Sequence, residues 1–433
     1  MPIYVTKQSF DVLGINPGTV EPLDLSTTFA PFILPDWSSP IIVSTEWMTS
    51  ISVSPITGTE ERISLQSRPT RTLSFVSSII NQETGFQTQM TLNRMMSHEI
   101  PFPLYSDQIF LTAPATSSDT VLQCDSTVFK RLYLGQRLMI AKRDHNRFVV
   151  AGTAKAPVLY GIVKDITADT ITLEDPVGVD LEGNEIVYPC FDSLPILSSV
   201  IDLETDFFGN SRITVLEKSG SNTLPPTWIG EVDTWMDYYK GYPIFKIEPN
   251  YNTKVRQTHV RQGVKTGVGR GTVIDLYGEL PDIQIKYTEL SVSRREAWDM
   301  LRFFDSRRGT ALPFWVIQPQ TAWKFEGNTS TSVDISNTDF LDSINTYIKE
   351  IGIEDSTGKQ YIRTVTSTSA TLESFTLNFN ESLPEGIIIK RVTPAWLCRF
   401  GMDELSQSWQ TDHIEFSDVN IIGIRSERES KIT

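Results

Sequence analysis

The chain has 433 residues, enough for about two to four domains, and it carries 53 acidic against 38 basic residues for a net charge of −15. This balance disfavours broad attraction to nucleic acid or an anionic membrane, and no apolar run approaches the roughly 18–20 residues of a membrane helix. The sequence begins without the pattern of a secretory signal peptide, and its three dispersed cysteines match neither a disulfide framework nor a metal knuckle. We therefore expect a protein made in a reducing cytoplasm.

The predicted elements of the first half are mostly strands, because short runs of Val, Ile, Thr, Phe and Tyr alternate with Gly, Pro, Asn and Asp. Strands are predicted between Ile41 and Ile80, and a helix is predicted from Thr84 to Met96. A Pro-Phe strand at Pro101 follows. The remaining strands predicted in this half are Arg147–Val150, Leu159–Ile166, Thr170–Leu173 and Ile213–Leu216.

The second half opens with predicted strands from Pro243 to Tyr287, and a second helix follows. Ser293 precedes Glu296 by three positions, which is the spacing of a capping box, and an amphipathic run begins after it. Arg307-Arg308-Gly309 supplies a basic last turn and a glycine stop. The remaining strands predicted in this half are Tyr361–Thr366, Ser374–Phe379, Ile387–Arg391 and Val419–Arg425.

Ordered landmarks recur between the two halves at a nearly constant offset. Pro101-Phe102 and Pro313-Phe314, each just after a predicted helix, are 212 residues apart. Further along, Pro189 and Pro394 are 205 apart, and Thr205-Asp206 precedes Thr411-Asp412 by 206. This order predicts an internal duplication.

The predicted fold is therefore mainly β, with two duplicated β-rich modules. Each module has one helix on a sheet and an inserted small β-barrel or sandwich. The predicted units are an N-terminal arm 1–40, a first module 41–218 with an appended domain at about 121–190, an aromatic linker 219–242, a second module 243–427 with an appended domain at about 330–394, and a tail 428–433.

A glycine-rich stretch from Gly263 to Gly271 could cradle a phosphate through its backbone N–H groups. A phosphate-binding loop should open a helix, but the residues that follow, Thr272–Tyr277, have the character of a strand. We therefore expect a hairpin or an extended arm.

A basic strip surrounds that stretch in an otherwise acidic chain. The strip consists of Lys254, Arg256, Arg261, Lys265 and Arg270. Nucleic-acid contact would add interleaved aromatic residues, and only Tyr251 is near. Docking onto an acidic face of a neighbouring subunit is the favoured interpretation, and we expect no nucleic-acid partner.

No constellation of residues predicts catalysis. The four histidines are dispersed without metal-binding spacing, and no serine nucleophile motif is present. Pairs such as Glu60-Glu61 and Glu354-Asp355 could act on a glycosidic bond at a suitable separation, but they lie in turn-like sequence. We expect no catalytic residue, no metal and no cofactor.

Two segments resemble tail proteins of tailed bacteriophages, of the distal tail or baseplate hub type. The first runs from Trp47 through Gly58-Thr59-Glu60-Glu61-Arg62 to Arg68-Pro69. The second combines a helix ending in Phe303-Phe304 with Arg307-Arg308-Gly309 and Phe314-Trp315. The first half lacks Arg-Gly after its helix and the second half lacks Gly-x-Glu-x-Arg, so the halves match complementary parts of the pattern.

The resemblance implies a non-enzymatic virion protein that is assembled in the host cytoplasm and forms a trimeric or hexameric ring. Its partners would be the tail tube and other baseplate or tail-tip proteins, without membrane insertion. Trp47, Phe304 and Trp315 would anchor the modules, while Arg62, Arg68 and Arg308 would bind carboxylates or carbonyls. The alternatives are a tail protein whose appended domains bind host surface glycans, and a tail-borne depolymerase or peptidase.

Overall fold

The computed structural model describes residues 33, 35–53, 60–79, 99–142, 148–150, 154–156, 158–195, 200–203, 209–218, 236–246, 250, 252–260, 263–266, 273–276, 282–317, 323–336, 349–370 and 374–424, together with 85, 88, 89, 92, 93, 95 and 96. Within these residues the fold is mainly β with large antiparallel sheets, which confirms the predicted class. Most of the linker 219–242 lies outside the described residues, as do most of the N-terminal arm and all of the tail 428–433.

The strands are numbered in chain order. Those of the first half are β1 Ile41–Glu46, β2 Thr49–Val53, β3 Glu60–Ser64, β4 Thr70–Ile79, β5 Ile100–Pro103, β6 Ile109–Phe110, β7 Val121–Gln123, β8 Arg137–Ala141, β9 Phe148–Val150, β10 Ala154–Ala156, β11 Val158–Ile166, β12 Thr170–Leu173, β13 Ile186–Ser193, β14 Val200–Leu203 and β15 Gly209–Leu216. A 3-10 turn, Tyr105–Asp107, follows β5.

The second half continues the numbering. Its strands are β16 Tyr238–Tyr239, β17 Tyr242–Phe245, β18 Arg256–Val260, β19 Gly263–Thr266, β20 Val273–Leu276, β21 Asp282–Ser291, β22 Phe314–Ile317, β23 Phe325–Asn328, β24 Ser332–Ser336, β25 Glu350–Asp355, β26 Gln360–Ala370, β27 Ser374–Phe379, β28 Ile389–Phe400, β29 Glu404–Trp409 and β30 Glu415–Gly423. Of the hairpin or extended arm expected in the glycine-rich stretch, the structure shows a hairpin, since β19 pairs with β20.

The second helix, α1 (Arg294–Arg307), forms where the sequence predicts it. Ser293 is its N-cap, and its Oγ accepts a hydrogen bond from the backbone N–H of Glu296 at 3.3 Å. The Glu296 side chain in turn accepts from the backbone N–H of Val292. In the first half, the described residues 85, 88, 89, 92, 93 and 95 are helical, as predicted for Thr84–Met96.

One antiparallel sheet, here called the main sheet, runs through both halves. Its strand order is β14–β15–β4–β1–β29–β30–β21–β18. The junction between the halves is the pairing of β1 with β29. Alternation of buried and partly exposed residues along β1 and β15 places one face of this sheet on the core.

Strand pairings follow the same order in the two halves. In the first half, β13 pairs with β5 and β8, and the chain of pairs continues through β11 and β12 to β7. In the second half, β28 pairs with β22 and β25, and the chain continues through β26 and β27 to β24. A register shift occurs after Val163 in β11 and after Val365 in β26. Superposition of the halves stays a prediction.

The two prolines of the predicted repeat occupy matching places in these ladders. Pro189 pairs with Leu138 of β8, and from the next residue on, β13 pairs with β5. Likewise, Pro394 pairs with Ile351 of β25, and from the next residue on, β28 pairs with β22. Proline lacks a backbone N–H, so it is tolerated where a strand changes its partner.

Each half has a core under the main sheet, and each appended domain has a core of its own. Each of the two larger cores includes a tryptophan from the other half of the chain. Trp409 of β29 packs in the first-half core, whereas Trp47 packs among the phenylalanines of the second-half core.

Candidate assembly interface

The contact between the two halves is here called the seam, and its backbone part is the β1–β29 ladder. The ladder runs from Ile41 opposite Trp409 to Glu46 opposite Glu404. Val43 is fully buried against Gln407, which is buried as well. The seam is therefore built like the interior of a sheet.

A buried ion cluster lies beside this ladder. The carboxylate of Asp107, 1% exposed, accepts from the guanidinium of Arg131 at 3.1 Å and from that of Arg294 at 3.0 Å. Arg131 also donates to Gln407 Oε1 at 2.9 Å, and the Gln407 amide donates to the Ala297 carbonyl at 3.2 Å. The cluster connects a turn and a loop of the first half with α1 and β29 of the second half.

A second contact surrounds Trp47, directly after β1. Its indole N–H donates to Asp305 of α1 at 3.0 Å, and its backbone N–H donates to the Asp403 carbonyl at 2.8 Å. The Asp403 carboxylate accepts from the backbone N–H of Thr49 at 3.0 Å and from that of Thr310 at 2.8 Å. One carboxylate thus joins three segments at the seam.

The chain turns sharply between α1 and that carboxylate. Arg308 and Gly309 both have left-handed backbone, with φ of 52° and 62°. A Cβ on Gly309 would lie 2.7 Å from the Asp403 carboxylate and 3.1 Å from the Cβ of Trp47. Glycine is required here by both conformation and space.

The pKa values of three buried carboxylates at or near the seam are shifted in opposite directions. Burial alone would raise the pKa of Asp107, but Arg131 and Arg294 outweigh it and hold this pKa at about 2. For Asp305, burial raises the pKa to about 6, although the bond from Trp47 opposes the shift. Burial also raises the pKa of Glu415, in β30, to about 7, although the hydrogen bond from the Ser417 hydroxyl opposes the shift.

Four of the site residues predicted from the sequence are described at the seam or near it. Trp47 is a buried anchor, and Arg62 on β3 donates to the Thr310 carbonyl at 3.5 Å. Arg308 is exposed and caps α1 with its backbone, and Arg68 lies partly buried between β3 and β4. Residues of the two segments 47–69 and 298–315 therefore contact each other across the seam.

The other predicted anchors lie in the second-half interior. Phe304 is buried against Phe400, with ring centroids 5.0 Å apart. Trp315 is buried too, and its indole N–H donates to the Tyr239 carbonyl at 2.9 Å.

The basic strip is only partly described. Lys254 is exposed just before β18, and Arg256 is exposed at the start of that strand. Lys265 lies in β19, where only the backbone is described, while Arg261 and Arg270 lie outside the described residues. The described residues therefore do not show the strip as one cluster of basic side chains. Its first two members, Lys254 and Arg256, lie at an edge of the main sheet.

Asp107, Arg131, Arg294 and Asp403 were missed in the sequence. Each lies in a turn, in a loop or at a helix start, and their partners are far away along the chain. Glu354 and Asp355, considered as a carboxylate pair, take structural roles: Glu354 binds Lys390 at 2.9 Å, and Asp355 accepts from the backbone N–H of Thr357 at 2.8 Å.

A cavity of about 290 Å³ lies between α1 and strands of the second half. Its lining combines an apolar floor with four carboxylates and two lysines: Met236, Asp237, Ile244, Phe245, Lys246, Glu289, Glu296, Asp299, Met300, Phe303, Gly358, Lys359 and Gln360. Burial raises the pKa of Asp299 in its wall. Among the described residues, no group of His, Cys, Asp and Glu is placed to hold a metal ion.

No protein-family model matches the chain, and a search of the curated proteins finds no relative.

All three cysteines are buried and unpaired. In the part of the chain that the structure describes, no helix is long and apolar enough to cross a membrane.

Proposed function

We propose that the chain is a structural subunit of a bacteriophage tail, placed at or near the distal end. It would form a ring or hub that joins the tail tube to the baseplate or host-recognition apparatus. Its mechanism is assembly through strand edges, and the virion tail is its location.

The observation that carries the proposal is the main sheet. It passes through both halves of the chain and ends in two edge strands, because among the described residues the ladders pair β14 only with β15 and β18 only with β21. Open edges of this kind are templates for pairing with another chain, and proteins normally cover them. A subunit that adds strands to its neighbours uses both edges.

The tail-protein resemblance supports the same conclusion through the contacts of its two segments. Trp47 and Arg62 come from the first-half segment, while Asp305 and Thr310 belong to the second-half segment, and they meet across the seam. A pattern divided between the halves is expected if the seam repeats a subunit contact inside one chain. Each seam then needs only one first-half segment and one second-half segment.

The test has two steps. Native mass spectrometry of the purified full chain should give one closed oligomer, and gold-labelled antibody should mark the distal tail end of particles from the phage that encodes the chain. Absence of the chain from the particle would refute the proposal. Hydrolysis of host polysaccharide or peptidoglycan by the purified chain would instead favour a tail-borne enzyme.

A further inference from the structure

The two edge strands of the main sheet are accessible on both faces. In β14, Val200 is 53% exposed and the adjacent Ile201 is 36% exposed, although consecutive residues of a strand point to opposite faces. In β18, the adjacent Arg256 and Gln257 are both exposed. Inside the main sheet, by contrast, one face of β1 is buried, since Ile41 and Val43 are fully buried.

The strands of one half correspond to those of the other by simple shifts along the chain. A shift of 212 carries β4, Thr70–Ile79, onto β21, Asp282–Ser291. A shift of 206 carries β15 onto residues 415–422 of β30. The ladders agree, since Gly209 opposite Ile79 becomes Glu415 opposite Ser291.

The same comparison places the edge strands opposite the seam strands. With a shift of 214, β1 corresponds to β18, because Ile42 opposite Ser74 becomes Arg256 opposite Lys286. With a shift of 206, β14 corresponds to the end of β29, Ser406–Trp409. The free edges of β18 and β14 are thus the counterparts of the two edges that join at the seam.

We propose that β18 of one copy of this chain pairs antiparallel with β14 of the next copy, in the register of the seam. This inference rests on the proposed function, and it identifies the surface through which the ring closes. Carrying the β1–β29 register over by the same shifts places Arg256 opposite Asp202, Gln257 opposite Ile201 and Thr258 opposite Val200.

The residues brought together in this register are complementary. Arg256 and Asp202 are exposed and oppositely charged, and opposite charges directly across an antiparallel pair are favourable. Gln257 opposite Ile201 repeats the seam pair of Val43 and Gln407 with the two sides exchanged. A slip of one residue would turn these side chains to the other face and lose both matches.

The contact is heterologous, because two different edges of the same chain meet. Such contacts form a ring when the rotation closes and a filament when it does not. In a closed ring, seams within chains alternate with the new contacts between chains. Three copies would carry six modules, and six copies would carry twelve.

A disulfide cross-link tests the register in the full chain. The double variant Ile201→Cys with Gln257→Cys places both thiols at directly opposed positions, whose Cβ atoms lie about 4.5–5.5 Å apart in an antiparallel pair and meet the upper limit of the disulfide range, about 4.5 Å, at their closest. The native cysteines are all buried and unpaired, so the new pair is the one that mild oxidation reaches. We expect covalent oligomers up to the size of the closed ring on a non-reducing gel.

The matched control, Ile201→Cys with Thr258→Cys, fits a register slipped by one residue and should stay uncross-linked. Oligomers that form without a cross-link in the 201/257 variant would overturn the edge pairing and leave the proposed function standing. A chain that stays monomeric at every concentration in native mass spectrometry would overturn both. Preferential cross-linking of the control pair would overturn the register.

Charge reversal gives a second, independent measurement. Arg256→Asp should weaken the oligomer, and adding Asp202→Arg should restore it, because the pair regains opposite charges in exchanged positions. Lys164→Asp makes the same change at an exposed position of β11 in the appended domain and should leave the oligomer intact. Failure of the second substitution to restore assembly would count against the pairing of Arg256 with Asp202.

Discussion

The ion cluster at the seam allows a quantitative prediction for Asp107→Asn. This change keeps the shape of the side chain but removes the charge that balances the buried guanidinium groups of Arg131 and Arg294. The pKa of Asp107 is about 2 against an ordinary 3.8. At about 1.4 kcal/mol per pKa unit, the ionised form contributes about 2–3 kcal/mol to the free energy of unfolding. The change also leaves two buried guanidinium groups without a counter-charge, which destabilises the fold further. We therefore expect the free energy of unfolding to fall by about 3–5 kcal/mol.

The assay is urea unfolding of the full chain, combined with hydrogen exchange of the seam strands. Tryptophan fluorescence reports on the site, because the guanidinium of Arg294 lies 4.8 Å from the ring of Trp409. Amides of β1 and β29 should exchange faster in the variant. Asp180→Asn is the control, since Asp180 is exposed and accepts from the Ser117 N–H at 2.8 Å. A loss below about 1 kcal/mol with unchanged exchange would refute the electrostatic role of the cluster.

Two further predictions concern other seam residues. Burial raises the pKa of Asp305 to about 6 and that of Glu415 to about 7, so the folded chain binds more protons than the unfolded chain above pH 4, and unfolding free energy should fall as pH rises from about 4 to 7. The double variant Asp305→Asn with Glu415→Gln should flatten this slope, and an unchanged slope would exclude these two groups as its source. Gly309→Ala should cost at least about 2 kcal/mol in urea unfolding, since it combines left-handed backbone with close contacts to Asp403. Gly386→Ala, at φ of 74° with open space around it, should cost clearly less, and equal losses would show that the contacts are unimportant.

Local signals in the sequence identify many elements correctly. The helix α1 follows from the capping box at Ser293 and the glycine stop at Gly309, which act within a few residues of one another. The strand Ser374–Phe379 is predicted to the residue, because its alternating apolar positions face a core. For the glycine-rich stretch the sequence left a hairpin or an extended arm open, and the pairing of β19 with β20 shows the hairpin.

The seam could not be predicted in the same way. The pairing of β1 with β29 joins residues more than 350 positions apart, and nothing in either strand specifies its partner. The ion cluster likewise takes Asp107, Arg131 and Arg294 from three separate segments, each with an ordinary local sequence. The sequence does contain the near-constant offset between the halves. Once the ladders are known, this offset shows which seam strands correspond to the edge strands β14 and β18.

The charges at the two edges decide between a ring and a two-fold dimer. Pairing of β14 with another β14 would bring together two strands that each carry Asp202, and pairing of β18 with another β18 would bring together two that each carry Arg256, with Lys254 just before the strand. Like charges across a strand pair are unfavourable, so both two-fold arrangements are disfavoured. Pairing of β18 with β14 brings opposite charges together, and it repeats a backbone arrangement that the chain already uses at its own seam. The same charges that keep a free edge from associating indiscriminately would therefore direct the chain toward head-to-tail assembly.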